Sequence, residues 1–266
     1  MRPSIVTLAL AAFLTAAAAA NAQEIVTLST RPTVTQPYFL ARVPKNPQAI
    51  AVLFSGGNGQ IQLRTEDGRI KFAGGNFLVR VRAEFVNRNV ITAIPDVPSD
   101  QTSAGMSDEF RLGEQHFTDI SAVVADLRKR FPGLPVFLVG TSRGSVSAAA
   151  VGRAFGDGVT GIVLTSSMFL GARSGPGLSG FDYTKIKTPV LIVHHTEDGC
   201  FATPFREARK LAETRKYPLI TVKGGKPATS GPCDPFSAHG FLGKESETVA
   251  AMVDWMLKKP YLADIE

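Results

Sequence analysis

The sequence is poor in several residue types. Of 266 residues only two are cysteine, one is tryptophan and four are histidine. Two cysteines, Cys200 and Cys233, exclude a disulfide-framework miniprotein and a cysteine-built zinc module. The adjacent His194 and His195 have no third ligand at a suitable spacing, so no metal site can be read. The formal net charge is +6, yet no run of Lys and Arg marks a nucleic-acid tract. Beyond residue 22 no apolar stretch reaches the roughly 20 residues of a bilayer span. No Pro/Gly/Ser-rich linker divides the chain, and no internal repeat is visible. What remains is 44% hydrophobic and 20% charged, with 25 glycines and 17 prolines. That is too apolar for disorder and too irregular for collagen.

The first 22 residues read as an address. Arg2 makes a short positive start, Ile5 to Ala20 is a run of apolar and small residues, and Ala20-Asn21-Ala22 supplies an A-x-A pattern before Gln23. This layout predicts a secretory signal peptide over 1–22, removed in the mature protein. The run is short for a span and lacks a basic stop-transfer flank, and no cysteine near the cleavage point allows a lipid anchor. The mature part, residues 23–266, has the size of one large α/β domain, which buries a full core without staples. Export, periplasmic or extracellular, would put both cysteines in an oxidising compartment, where a pair closes.

Strands and helices alternate through that part. Glu24–Thr30 and Tyr38–Val43 predict two strands joined through Pro32 and Pro37. Ala49–Phe54 is a buried-strand run that ends in Ser55-Gly56-Gly57-Asn58-Gly59. Phe77–Arg88 has helical spacing, and Val90–Ile94 is the next strand. Glu109–Phe131 predicts one long amphipathic helix, because Phe117, Ile120, Val123, Val124 and Leu127 recur at three and four. Strands at Val136–Val139, Ile162–Thr165, Val190–Val193 and Leu219–Val222 follow. They alternate with helices near Gly144–Phe155, Pro204–Thr214 and Val249–Leu257. This order predicts one α/β domain with a mostly parallel sheet of about eight strands, covered on both faces.

Gly140-Thr141-Ser142-Arg143-Gly144 fits G-x-S-x-G, follows an apolar strand and opens a helix. A serine on so sharp a turn sits in a strained backbone, and bulky neighbours would clash there. Ser145, Ser147 and Ala148–Ala150 continue the small-residue theme. A helix N-terminus behind the serine favours developing negative charge.

On these residues the chain resembles the α/β-hydrolase superfamily over essentially its whole mature length. It looks most like lidless, secreted bacterial serine hydrolases of the dienelactone-hydrolase and esterase type. The resemblance implies the order nucleophile, acid, histidine. Ser142 matches the nucleophile. The acid position follows the strand Val190–Val193 in His194-His195-Thr196-Glu197-Asp198-Gly199, where Asp198 matches and Glu197 is the alternative. The histidine falls in Ser237-Ala238-His239-Gly240-Phe241, before the last helix.

In that arrangement His239 is the base for Ser142, and Asp198 orients the ring. The oxyanion hole would take one N–H from Arg143 and one from the loop after Phe54, at Gly57 or, second, Asn58. That loop begins with Ser55, where the superfamily often has histidine, which leaves the second donor open. Arg143 either supplies only its backbone, or its side chain reaches a substrate carboxylate. His194 and His195 are expected to pack or support, and His116 to be structural.

A triad that joins Asp198 to His239 also brings Cys200 near Cys233, so a disulfide between the acid loop and the histidine loop is expected. Large lids of the superfamily sit where this chain has only the glycine-rich segment around Gly171, Gly175, Gly177 and Gly180. An open site follows, suited to short acyl groups. The loop-rich stretches Gln60–Gly75 and Ser99–Gly113 are expected to shape the pocket. A serine nucleophile argues against cysteine-nucleophile dienelactone hydrolases and aspartate-nucleophile dehalogenases. The chemistry needs no cofactor and no metal. The expected partner is a small-molecule ester or acyl substrate, with no nucleic acid and no lasting membrane insertion, and the oligomeric state stays open. A peptidase or amidase, an acyltransferase or perhydrolase, and a non-catalytic ligand-binding or receptor module on the same fold are the alternatives.

Overall fold

The computed structural model describes residues 23–172 and 175–266. The expected leader, 1–22, lies outside the described residues. In chain order the strands are β1 (Glu24–Arg31), β2 (Val34–Leu40), β3 (Ala49–Phe54), β4 (Arg64–Glu66), β5 (Arg69–Lys71), β6 (Val90–Pro95), β7 (Val136–Thr141), β8 (Gly161–Thr165), β9 (Val190–His195), β10 (Leu219–Val222) and β11 (Asp264–Ile265). The helices are α1 (Phe77–Arg80), α2 (Arg82–Asn87), α3 (Asp108–Leu112), α4 (Glu114–Arg130), α5 (Gly144–Phe155), α6 (Phe205–Arg215) and α7 (Glu245–Met256).

Nine strands form one sheet in the order β1-β2-β6-β3-β7-β8-β9-β10-β11. The β1–β2 and β2–β6 pairs are antiparallel, and every pair from β6 to β11 is parallel. All eight expected strands occur, and the ninth, β11, is a two-residue edge too short to leave a pattern. Alternate residues feed opposite faces. Ala51 and Leu53 of β3 join a core with Phe77, Phe85, Phe241 and Met252, under α1, α2 and α7. Ile50, Val52 and Phe54 join Ile120, Val124, Val146 and Ala149, under α4 and α5. Burial on both faces is why the central strands read as continuous apolar runs.

Several local expectations needed correction. The helix expected over 109–131 is two, because Gly113 is extended at φ −88°, ψ 167° and turns the chain between α3 and α4. The helix expected over 77–88 breaks at Val81. Pro37 is not in the connector but inside β2, opposite Thr27, and its carbonyl accepts from the Asp96 N–H. The stretch 60–75 contains the β4–β5 hairpin, turned by Asp67 and Gly68 at φ 51° and 68°. Asp-Gly is a known hairpin-turn pair, so that signal was available in the sequence. Between β8 and β9 the only helical element among the described residues is one 3-10 turn, Tyr183–Lys185, and no lid domain covers this edge.

Parallel strands end at a common edge. β3 ends before Ser55, β7 before Ser142, β8 before Ser166, and β9 three residues before Asp198. The candidate residues therefore collect where ligands of open α/β sheets bind.

Candidate active site

Ser142 stands between β7 and α5 at φ 53°. A non-glycine residue there is strained, and such strain clusters at functional sites. The strain is held in place. Ser142 N–H donates to Thr165 O at 3.0 Å, and Ser145 Oγ donates to Ser142 O at 2.6 Å while accepting from Met168 N–H. The flanking glycines are needed for close approach, not for positive φ. A Cβ on Gly144 would lie 2.1 Å from Phe54 O, and one on Gly140 2.3 Å from Gly144 O.

Asp198 and His239 meet. His239 Nδ1 lies 3.0 Å from Asp198 Oδ2, and the Asp198 side chain is fully buried. The carboxylate also accepts from Cys200 N–H at 3.0 Å and from Thr203 Oγ1 at 2.9 Å. His194 Nε2 donates to Thr203 O at 2.8 Å and sits 3.4 Å from the same Asp198 oxygen. Burial alone would push the Asp198 carboxyl up. Contacts to His194 and His239 outweigh it and hold the group well below the usual carboxylate range. Glu197, the alternative acid, is exposed, and its N–H donates to His195 Nδ1.

Backbone contacts fix the His239 loop. Ser166 Oγ donates to His239 O at 2.9 Å, and Ser237 Oγ accepts from His239 N–H. Gly240 is pressed so close to Pro235 that a Cβ would lie 1.9 Å from its carbonyl oxygen. Arg80 reaches over from α1. Its guanidinium donates to Pro235 O at 3.0 Å and Gly240 O at 3.1 Å, and pairs with Glu245 at 2.9 Å.

Ser142 and His239 line one cavity of about 270 Å³ with Gly57, Asn58, Asn76 and Phe77. The turn after β3 is closed by Gly59 N–H donating to Gly56 O, with Gly57 at φ 59°. The Arg143 side chain turns to Asp108, with Nε 2.5 Å from Oδ1. Cys200 and Cys233 lie at disulfide distance, with their Cα atoms 4.5 Å apart. His116 is buried between the rings of Phe54 and Phe110, as a structural histidine would be.

Sequence reasoning gives no role to Thr203, Ser166 or Arg80, and expects His194 only to pack or support. Ser166 and Arg80 act across 73 and 160 residues, on His239 O and Gly240 O, and no short motif reports such contacts. Thr203 and His194 lie five and four residues from Asp198, so their contacts to it are local.

A family model described as serine aminopeptidase, S33, matches residues 100–181. That span holds Ser142 but neither Asp198 nor His239. No curated protein matches the chain in sequence. Among solved structures the chain is similar to Est1E from Butyrivibrio proteoclasticus, at TM-score 0.59 and 17% identity over 88% of this chain and 98% of that one. It is similar to a lidless α/β serine hydrolase from Xanthomonas campestris, at 0.57 and 15% over 86% and 94%. A cold-adapted esterase from an Arctic intertidal metagenomic library gives 0.57 and 13% over 89% and 93%. Strand order and these likenesses give the chain the α/β-hydrolase fold, and the family match over residues 100–181 covers the strained serine turn.

Proposed function

We propose that the protein is an exported serine hydrolase that cleaves carboxylic esters of small molecules through an acyl-enzyme. One observation carries this reading. Ser142, held at φ 53°, shares a cavity with His239, whose Nδ1 is bound to buried Asp198.

With Nδ1–H directed at Asp198, Nε2 is the basic nitrogen of the His239 ring. It takes the Ser142 proton as Oγ attacks the ester carbon. The oxyanion meets the N–H of Arg143 and that of Gly57, or of Asn58. Collapse releases the alcohol, which receives the proton from Nε2, and leaves the acyl group on Oγ. Water then repeats the sequence and frees the acid. Asp198 stays ionised throughout and holds the ring. Its low carboxyl pKa is consistent with that role.

The short connection between β8 and β9 and a cavity of about 270 Å³ favour short acyl groups. The esterases among the similar structures are consistent with ester chemistry. A leader over 1–22 and the Cys200–Cys233 pair support export.

Fluorophosphonate labelling of the mature protein, with peptide mapping, tests the reading. One adduct on Ser142, absent in Ser142→Ala and lost in His239→Ala, is expected. No adduct on folded protein would turn the reading toward a non-catalytic binding module. In a p-nitrophenyl ester series, acetate and butyrate should exceed palmitate, and a long-chain optimum would refute the short-acyl assignment. The aminopeptidase family match favours a second reading, peptide-bond cleavage by the same residues. Faster turnover of aminoacyl p-nitroanilides than of p-nitrophenyl acetate would select it.

A further inference from the structure

Arg111, at the end of α3, is 1% exposed. A buried guanidinium is costly to desolvate and is ordinarily matched by a carboxylate. Here its hydrogen bonds go to neutral groups. Nη1 donates to Ser147 Oγ of α5 at 2.7 Å, and Nη2 donates to Gly57 O at 3.3 Å. Nε has no partner among the described residues. The neighbouring carboxylate, Asp108, instead accepts from Arg143 and from Gly177 N–H.

Gly57 O belongs to the turn that carries both candidate oxyanion donors. The Gly57 N–H lies in the peptide whose carbonyl, Gly56 O, accepts from Gly59 N–H. The Asn58 N–H lies in the peptide whose carbonyl, Gly57 O, accepts from Arg111. Each candidate donor therefore sits in a peptide pinned through its oxygen. Without Arg111 the second pin is gone. Gly57 is at φ 59° with open space around the position a Cβ would take, and the next hold along the turn is Asn58 O, which accepts from Met106 N–H. The loop also packs down on the guanidinium, since a Cβ on Gly59 would lie 2.8 Å from Arg111 Nη2.

We propose that Arg111 is a positioning residue for the oxyanion turn, holding the Gly57–Asn58 peptide in place and setting a buried positive charge behind the oxygen that becomes negative. This rests on the serine-hydrolase reading above. Burial, aided by Arg143 and opposed by Asp108, pushes the guanidinium pKa down to about 9, so the group stays cationic at neutral pH.

Arg111→Met and Arg111→Lys test the assignment in the full mature protein. With p-nitrophenyl acetate, Arg111→Met should lower kcat by about 10- to 100-fold and leave KM within about threefold, because the contact matters most in the transition state. Inhibition by a trifluoromethyl ketone should weaken in step with kcat/KM, a loss that a general packing defect would not track. Arg111→Lys keeps the charge without the fork and should recover part of kcat. It also serves if Arg111→Met does not fold, since a Lys variant at wild-type kcat and inhibitor affinity overturns the proposal. Folded Arg111→Met that matches wild type in both also overturns it. If wild type itself neither turns over esters nor labels at Ser142, the hydrolase reading fails separately. Amide hydrogen exchange over residues 55–60 then decides the anchoring role. Faster exchange there in either variant supports it, and unchanged exchange overturns it.

Discussion

The backbone N–H of Cys200 donates to Asp198 Oδ1 at 3.0 Å, so one end of the cysteine pair and the candidate acid share a turn. The other end, Cys233, lies in the loop that carries His239 and lines the cavity with it. A bond between them ties the two halves of the Asp198–His239 contact together across 33 residues. Closing a loop of that length should contribute roughly 3–4 kcal/mol in the chain-entropy model. Reduction, or Cys200→Ala with Cys233→Ala, should lower the denaturation midpoint and slow ester turnover. Two free thiols in denaturant without reductant would refute the bridge. A reduced protein with unchanged midpoint and kcat would refute its coupling to the site.

Arg80 holds the same loop from the other side. It donates to Pro235 O and Gly240 O, on both flanks of His239, and Glu245 balances its charge. Arg80→Gln should destabilise the protein by about 1 kcal/mol or more, the order of the cost of losing hydrogen bonds to half-buried carbonyls. Fluorophosphonate labelling of Ser142 should slow as His239 loses its fixed position. Urea unfolding and labelling rate check both parts, and a variant equal to wild type in labelling would remove Arg80 from the positioning of His239.

Arg80 also shows where a sequence stops being readable. The turn Gly140–Gly144 could be read because close backbone packing demands glycine at that spacing, Gly140 against Gly144 and Gly144 against Phe54. The central strands could be read because both faces are buried, which leaves continuous apolar runs such as Ala49–Phe54. The break at Gly113 could not, since one glycine inside a helical period is tolerated as often as it ends a helix. Arg80 and Ser166 carry no local pattern at all, and each becomes a support for the candidate site only when the sheet brings distant loops to one edge. Thr203 and His194 sit within five residues of Asp198, yet a lone threonine or histidine beside a candidate acid does not say that its side chain turns toward it.

Arg143 lies beside Ser142, yet its guanidinium is engaged with buried Asp108, which also accepts from Gly177 N–H at 2.8 Å. The side chain thus ties the serine turn to the segment after β8. Arg143→Ala should cost about 3 kcal/mol or more of stability, as when one partner of a buried pair is removed. It should reduce kcat/KM for neutral and anionic esters by the same factor. A selective loss on the anionic ester would assign the guanidinium to substrate recognition instead.

His116 should contribute to the acid limb of the stability curve. It is buried against Phe54 and Phe110, and neither ring nitrogen has a partner among the described residues. Burial first, then the positive charges of Arg111 and Arg31, push its pKa down to about 3. In the unfolded chain the ring titrates near its ordinary value of about 6.5. Below that pH the unfolded state binds a proton that the folded state refuses, so stability falls as pH drops from about 6.5 toward 3, by up to about 1.4 kcal/mol per pH unit. His116→Leu keeps an apolar side chain of similar size and removes this titration. The three other histidines remain in both proteins, so the difference between the two curves isolates His116. Between pH 7 and pH 5 wild type should lose about 2 kcal/mol more than the variant in urea unfolding. Parallel curves would mean that His116 is protonated in the folded state. A new acceptor would then have to lie beside Phe54, at the strand end that leads into the Gly57 turn.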